Sequence, residues 1–356
     1  MSFCSDVYLQ PYIPLIGLGC CDFQFQAKDS TIIHGRSMEY PLETRSQIFV
    51  RNRNIEFHSF APDMSKTISW ESKFGYVGID MLGFGKPVEG INEKGLSTSF
   101  LSIDDCQYTT INKDNKSKAL AVLDLGDYIL GTCSNVDEAL EAIAKIDVWC
   151  PTIPEINKIP GVHVALHDAL GNNYVIEFVK GKTKFYPNPI GVLTNDPRFK
   201  YHQQNLRNYI GNSSNPLPNI NYRGVELKNL GPGTGMKLPG GLDSVSRFVR
   251  LSNLIQTATI AENALKGVSL AFHHLNAMNK PEGCCNANFS GHILSDHTRW
   301  SVVMDLSNNL LFYRSYEDLS INLIDLNRMS FEKDTDHKSI NLEGKVLTVK
   351  DVTDML

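Results

Sequence analysis

The chain has no excess of positive charge. Its 34 Lys and Arg stand against 39 Asp and Glu, a formal net charge of −5 over 356 residues, and this argues against the basic face that nucleic-acid binding requires. No uninterrupted apolar run approaches the roughly eighteen residues of a membrane-spanning helix. The nearest, Ile13 to Cys21, is short and contains Pro14. Residues 1–19 hold no Lys or Arg, and no Ala-x-Ala site precedes Cys20, so two marks of a secretion signal are missing. A degenerate signal and a short propeptide stay open as alternatives: periplasmic or secreted with the first, cytoplasmic without it. Eight cysteines, at 4, 20, 21, 106, 133, 150, 284 and 285, include no C-x-x-C pair, which argues against a zinc knuckle or a thioredoxin-like motif. No cofactor and no metal is expected. Cys106, Cys133 and Cys150 read as buried, idle thiols, while Cys284 and Cys285 are free to form disulfides elsewhere. Internal repeats, low-complexity tails and composition breaks are all missing, so a single domain over 20–356 is expected.

Strand-like patterns dominate the first third. Phe23 and Phe25 alternate with polar residues, Lys28-Asp29-Ser30 reads as a turn, and Thr31-Ile32-Ile33 and Gln47 to Val50 read as further strands. A turn at Asn92 to Gly95 leads into another. Helices are predicted from Ala119 to about Leu130, after caps at Ser134 and Asn135, from Ser244 to Ala258 and from Glu262 to Met278. Hairpins are predicted over Gly171-Asn172-Asn173 and Ser307-Asn308-Asn309, an apolar strand over Asn188 to Asn195, and a long loop over 211–241. Antiparallel groups of strands with helices paired between them favour two packed sheets with helices outside.

The residues that carry chemistry begin with Cys20. A thiol becomes a nucleophile where positive charge favours the thiolate, and Arg36 on the next strand can supply it. If Cys20 is the first residue of the mature chain, its own α-amino group, which ordinarily titrates at about 7.7–8.0, can act as the base. Glu39 can hold that amino group through a charge-assisted hydrogen bond. Asn195, at a strand end in Leu193-Thr194-Asn195-Asp196-Pro197, can direct an amide N–H at an oxyanion; its simpler role is that of a turn former. Arg247 sits in the first turn of a helix opened by Leu238-Pro239-Gly240-Gly241; its simpler role is a solvated helix face.

Together and in this order these segments resemble the choloylglycine hydrolase family of N-terminal-nucleophile hydrolases, which includes penicillin V acylases and bile salt hydrolases. The marks run from Cys20 to about Asp318: Cys-x-x-Phe at 20–23, Gly-Arg-x-Met-Glu at 35–39, Gly-Ile-Asn-Glu-Lys-Gly-Leu-Ser at 90–97, Leu-Asp-Leu-Gly-Asp-Tyr-Ile-Leu-Gly at 123–131, Asn-Pro-Ile-Gly-Val-Leu-Thr-Asn-Asp-Pro at 188–197, Leu-Pro-Gly-Gly-Leu-Asp-Ser-Val-Ser-Arg-Phe at 238–248 and Trp-Ser-Val-Val-Met-Asp-Leu at 300–306. The resemblance implies a four-layer αββα fold of class α+β and hydrolysis of a linear amide in a small N-acyl compound through a thioester. It implies Cys20 as nucleophile, Arg36 and Arg247 beside it, Glu39 in place of the usual Asp, Asn195 and the Ser102 backbone N–H at the oxyanion, and a homotetramer. Ser102 stands where bile salt hydrolases tend to carry Asn and penicillin acylases Tyr, so its side chain does not point to an acyl group. Loss of residues 1–19, by self-cleavage or a peptidase, is expected, because Gly19 has no side chain to keep the Cys20 thiol from the Gly19 carbonyl. Two other readings compete: a catalytically silent binding protein on the same fold, and a papain-like Cys–His hydrolase, for which no histidine signature is present.

Overall fold

The computed structural model describes residues 19–152, 159–289, 292–344 and 346–355. Cys4 and all of the predicted leader except Gly19 lie outside these residues.

Two antiparallel sheets form the centre. The six-stranded sheet runs in the order Val192–Leu193, β1 (Cys20–Gln26), β2 (Ile32–Tyr40), His297–Asp305, Leu310–Ser315, Asn322–Asp325. β2 is buried along its whole length because it is paired on both sides and covered on both faces. The eight-stranded sheet runs Lys182–Pro187, Asn173–Val179, Val162–His167, Ser97–Ser102, Glu89–Asn92, Tyr76–Ile79, β3 (Gln47–Arg51), Ile340–Asn341. Among the described residues, five α-helices accompany them: α1 (Leu125–Thr132), α2 (Val136–Ile143), α3 (Phe199–Asn205), α4 (Ser244–Thr257) and α5 (Ala264–Met278). α4 and α5 cover the six-stranded sheet through Phe248, Leu251, Ala271 and Leu275, which share one core with Phe23, Ile33 and Val303. α1 and α2 cover the eight-stranded sheet through Leu125, Ile129, Val136 and Ile143, packed on Phe100, Val164 and Ile176. The result is the αββα sandwich of an α+β fold, each layer burying the apolar face its neighbour presents.

Local chemistry accounts for several boundaries. Asn135 caps α2 by accepting from Glu138 N at 3.0 Å, while Glu138 accepts from the backbone N–H of Ser134 at 2.7 Å, so Asn135 is the cap and Ser134 takes part only through its backbone. Asp243 caps α4 by accepting from Ser246 N at 2.9 Å, which starts the helix at Ser244 and sets Arg247 in its first turn.

Two expectations are corrected. The stretch from Ala119 is not helical at its start: Ala119–Ala121 forms a short strand parallel to Asp147–Trp149, and the helix begins at Leu125. Those alanines and leucines are buried all round, so periodicity could not separate strand from helix. Of Asn188–Asn195, Val192–Leu193 pair as a strand with β1. Gly191 interrupts it with φ +73°, and a Cβ there would lie 2.5 Å from the Gln24 carbonyl, so glycine is what lets the turn close against β1. The 211–241 segment is a loop as expected, carrying a small hairpin of Ile220–Tyr222 with Val225–Leu227. Cys133 and Cys150 are buried, Cys106 is half-buried, and Cys284 and Cys285 are free thiols.

Candidate active site

The register of β1 and β2 assembles the site. Cys20 lies opposite Met38, and Asp22 opposite Arg36. Because side chains alternate across a strand, Cys20, Asp22, His34, Arg36 and Met38 share the face turned toward the eight-stranded sheet. The Cys20 sulfur is 3.9 Å from Arg36 Nη2 and 3.9 Å from Met38 Sδ. Burial pushes its thiol up, opposed by the Arg36 and Arg247 charges and reinforced by Glu39.

Asn195 and Arg247 close the site from the side of α4. Asn195 Oδ1 accepts from Cys20 N at 2.7 Å and from Arg247 Nη2 at 2.8 Å, and Nδ2 donates to the Ser102 carbonyl at 2.8 Å. Arg247 Nη1 donates to the Cys20 carbonyl. The Asn195 backbone is pinned by Ser244 Oγ at 2.8 Å and by His202 Nε2, which donates to its carbonyl at 2.9 Å. Burial lowers the His202 imidazole to about 4, which keeps that histidine neutral.

Glu39 sits on the far side of Cys20. It is fully buried; Oε1 accepts from Thr298 Oγ1 at 3.1 Å, and Oε2 has no partner among the described residues. Burial raises its carboxyl, against the pull of Arg247 and Lys280. In the chain as described, Cys20 N is the amide of the Gly19–Cys20 bond and donates to Asn195, not to Glu39. The Glu39 backbone N–H donates instead to the Gly19 carbonyl at 2.9 Å. The structure thus brings Cys20, Arg36, Glu39, Ser102, Asn195 and Arg247 into one cluster.

An apolar cavity of about 130 Å³ opens beside the sulfur, lined among others by Tyr40, Met81, Phe84, Val88, Phe100 and Leu123. Lys86 lies in its wall, but its ammonium is held by Asp124 at 2.7 Å and Asp127 at 2.9 Å.

Sequence reasoning missed two groups. Lys280 and Asp296 form a buried ion pair at 2.7 Å, and Asp296 Oδ2 also accepts from Gly19 N at 3.2 Å. A Cβ on residue 19 would lie 2.1 Å from Lys280 Nζ, so a side chain at 19 would displace that lysine. No local motif marks either residue. The second group is Asp22 with His34 and His167, the described residues whose donor atoms lie close enough together to hold a metal ion. Their separations, 2.7 Å from Asp22 to His34 and 2.8 Å to His167, are those of hydrogen bonds.

Comparison with known proteins gives a consistent outcome. A family model described as linear amide C–N hydrolases, choloylglycine hydrolase family, matches residues 20–341, beginning at Cys20. A bile salt hydrolase/transferase of Clostridium perfringens is 29% identical over 88% of this chain and 94% of its own. A penicillin V acylase of Pectobacterium atrosepticum is 24% identical over 91% of this chain and 81% of its own. The crystal structure of a conjugated bile acid hydrolase from Clostridium perfringens superposes with a TM-score of 0.81 at 26% identity, covering 94% of this chain and all of that one.

Proposed function

The chain belongs to the choloylglycine hydrolase family and is a hydrolase of linear amide C–N bonds in small molecules, and we propose that it acts through Cys20 as the first residue of a mature chain that has lost residues 1–19. Removing them converts the Cys20 amide nitrogen into an α-amine at the Asn195 carbonyl oxygen, with the Glu39 carboxylate, whose Oε2 has no hydrogen-bond partner among the described residues, close enough for its charge to act on the neighbouring thiol. The amine takes the thiol proton, and the sulfur attacks the substrate carbonyl. The oxyanion is held by Asn195 Nδ2 and the Ser102 backbone N–H. The C–N bond breaks as the ammonium returns its proton to the leaving amine, and water then hydrolyses the thioester to the free acid.

The observation that carries the substrate reading is the apolar cavity ending at the sulfur. It supports an apolar acyl group, and with both Lys86 partners in place no cation of the described lining is free to select an acyl chain bearing a carboxylate. The names of the relatives bring in conjugated bile acids and phenoxyacyl penicillins; acyl-homoserine lactones share the same acyl chemistry. The test is N-terminal sequencing of purified protein together with turnover of glycocholate, penicillin V and acyl-homoserine lactones. Protein that starts at Cys20 and hydrolyses at least one of them is expected. Active protein that still starts at Met1 would sink the processing step, and processed protein inert on the whole panel would favour the silent binding fold.

We also infer a homotetramer, supported by the apolar arm that the 211–241 loop exposes. Ile220, Tyr222, Val225, Leu227 and Leu230 all lie on the surface there, and exposed apolar groups of this kind mark association surfaces. Light scattering should give four copies for the intact chain and fewer after Tyr222, Val225 and Leu230 are changed to Ser. A monomer before substitution removes the inference.

A further inference from the structure

Packed sheets ordinarily meet through apolar side chains. Here a line of fully buried charged and polar groups crosses between them behind the nucleophile. Arg36, on β2, donates from Nη1 to Glu89 Oε2 at 2.7 Å and to the Val88 carbonyl at 2.6 Å, and from Nη2 to the Phe100 carbonyl at 2.6 Å. Glu89 belongs to the opposite sheet. Its second oxygen has no hydrogen-bond partner among the described residues and lies 3.9 Å from His34 Nδ1. His34 in turn meets Asp22, Asp22 meets His167, and His167 Nδ1 donates to Gln24 Oε1 at 3.0 Å. The Ser97–Ser102 strand adds the Ser97 and Ser99 hydroxyls beside His34. Burial alone would raise the Asp22 carboxyl, yet His167 and His34 hold it well below the usual carboxylate range.

Two features separate Glu89 from an ordinary structural partner. The guanidinium it neutralises is the one that faces the Cys20 sulfur. And that guanidinium is also held by two backbone carbonyls, so replacing Glu89 removes the counter-charge without releasing the group. We propose that Glu89 is a positioning residue for the hydrolysis, setting through Arg36 how much positive charge the Cys20 sulfur feels, with the His34–Asp22–His167 chain beside it. The proposal rests on Cys20 as the nucleophile. Its test reads the thiol directly, so it stands apart from any error in the substrate assignment.

The test is the pH profile of Cys20 alkylation by iodoacetamide on the mature protein, followed on the Cys20 peptide by mass spectrometry. Arg36→Leu should slow alkylation about tenfold at neutral pH, because losing the cation disfavours the thiolate. Glu89→Gln should do the opposite: with the counter-charge gone the cation acts unopposed, and alkylation should quicken about threefold or more, with its pH midpoint lowered. In the Arg36→Leu background Glu89 is a buried carboxyl that burial already raises and that has lost its main cation, so it takes up a proton and Glu89→Gln should add nothing. A buried arginine left without its carboxylate can also cost the fold. Glu89→Asp covers that case: it keeps the charge but draws it back from a guanidinium that Val88 and Phe100 still hold, so alkylation should quicken by a smaller factor. Unchanged or slower alkylation in the folded Gln or Asp variant, or an undiminished Glu89→Gln effect without Arg36, overturns the proposal.

Discussion

Cys20→Ala is expected to remove amide hydrolysis, a loss on the order of a thousandfold or more, as when a nucleophile that works with its own base is deleted. Cys21→Ala should keep most of it. The two thiols are adjacent in sequence but face opposite sides of β1. Cys20 is aligned with Met38, lines the apolar cavity and has Arg36 beside its sulfur. Cys21 is aligned with Ser37, whose hydroxyl lies 3.0 Å from its sulfur. Burial holds the Cys21 thiol at about 12, reinforced by the Glu39 charge and only partly relieved by Arg247. It is therefore protonated at any working pH, and it does not line the apolar cavity beside Cys20. Turnover measured on both variants at equal folded yield decides the matter. The reverse ranking would place the mature N-terminus one residue later than Cys20.

Much of this site was legible because its motifs are local. Gly-Arg-x-Met-Glu at 35–39 carries two of the clustered residues on one strand, and Asn-Asp-Pro at 195–197 marks the strand end that turns Asn195 toward Cys20. The α4 cap at Asp243 likewise places Arg247 from a pattern of a few residues. The antiparallel sandwich followed from period-two stretches separated by turn residues, and it was found. What was not legible depends on register between strands distant in sequence. Nothing local to Glu89 says that its strand meets Arg36 across the sandwich, and His167 reaches Asp22 from 145 residues away. Lys280 and Asp296 are 16 residues apart and meet beside Gly19 because the end of α5 returns to the His297–Asp305 strand. The helical reading of 119–121 failed for a different reason: a short, wholly buried apolar run has no polar face to reveal its period, and the chain turns helical only from Val122.

Asn195→Ala is expected to lower kcat by about a hundredfold to a thousandfold, the cost of removing one oxyanion donor, while KM changes little because the acyl cavity is built from other residues. The side chain has two ends with separable roles. Oδ1 accepts from Cys20 N and Arg247, which orients the nitrogen that becomes the base; Nδ2 donates to the Ser102 carbonyl and has a second hydrogen to offer an oxyanion. Asn195→Asp divides them. It keeps an acceptor for Cys20 and Arg247 but has no N–H, and it sets a negative charge where negative charge would develop. If the donor is what matters, the Asp variant should be at least as slow as the Ala variant. If orientation of the α-amine is what matters, Asp should recover most of the rate. Steady-state kinetics on the two variants, each checked for a Cys20 N-terminus and for wild-type thermal unfolding, separates the cases. An Asp variant within about tenfold of wild type, well short of the loss a missing donor brings, would move Asn195 from the oxyanion to the base.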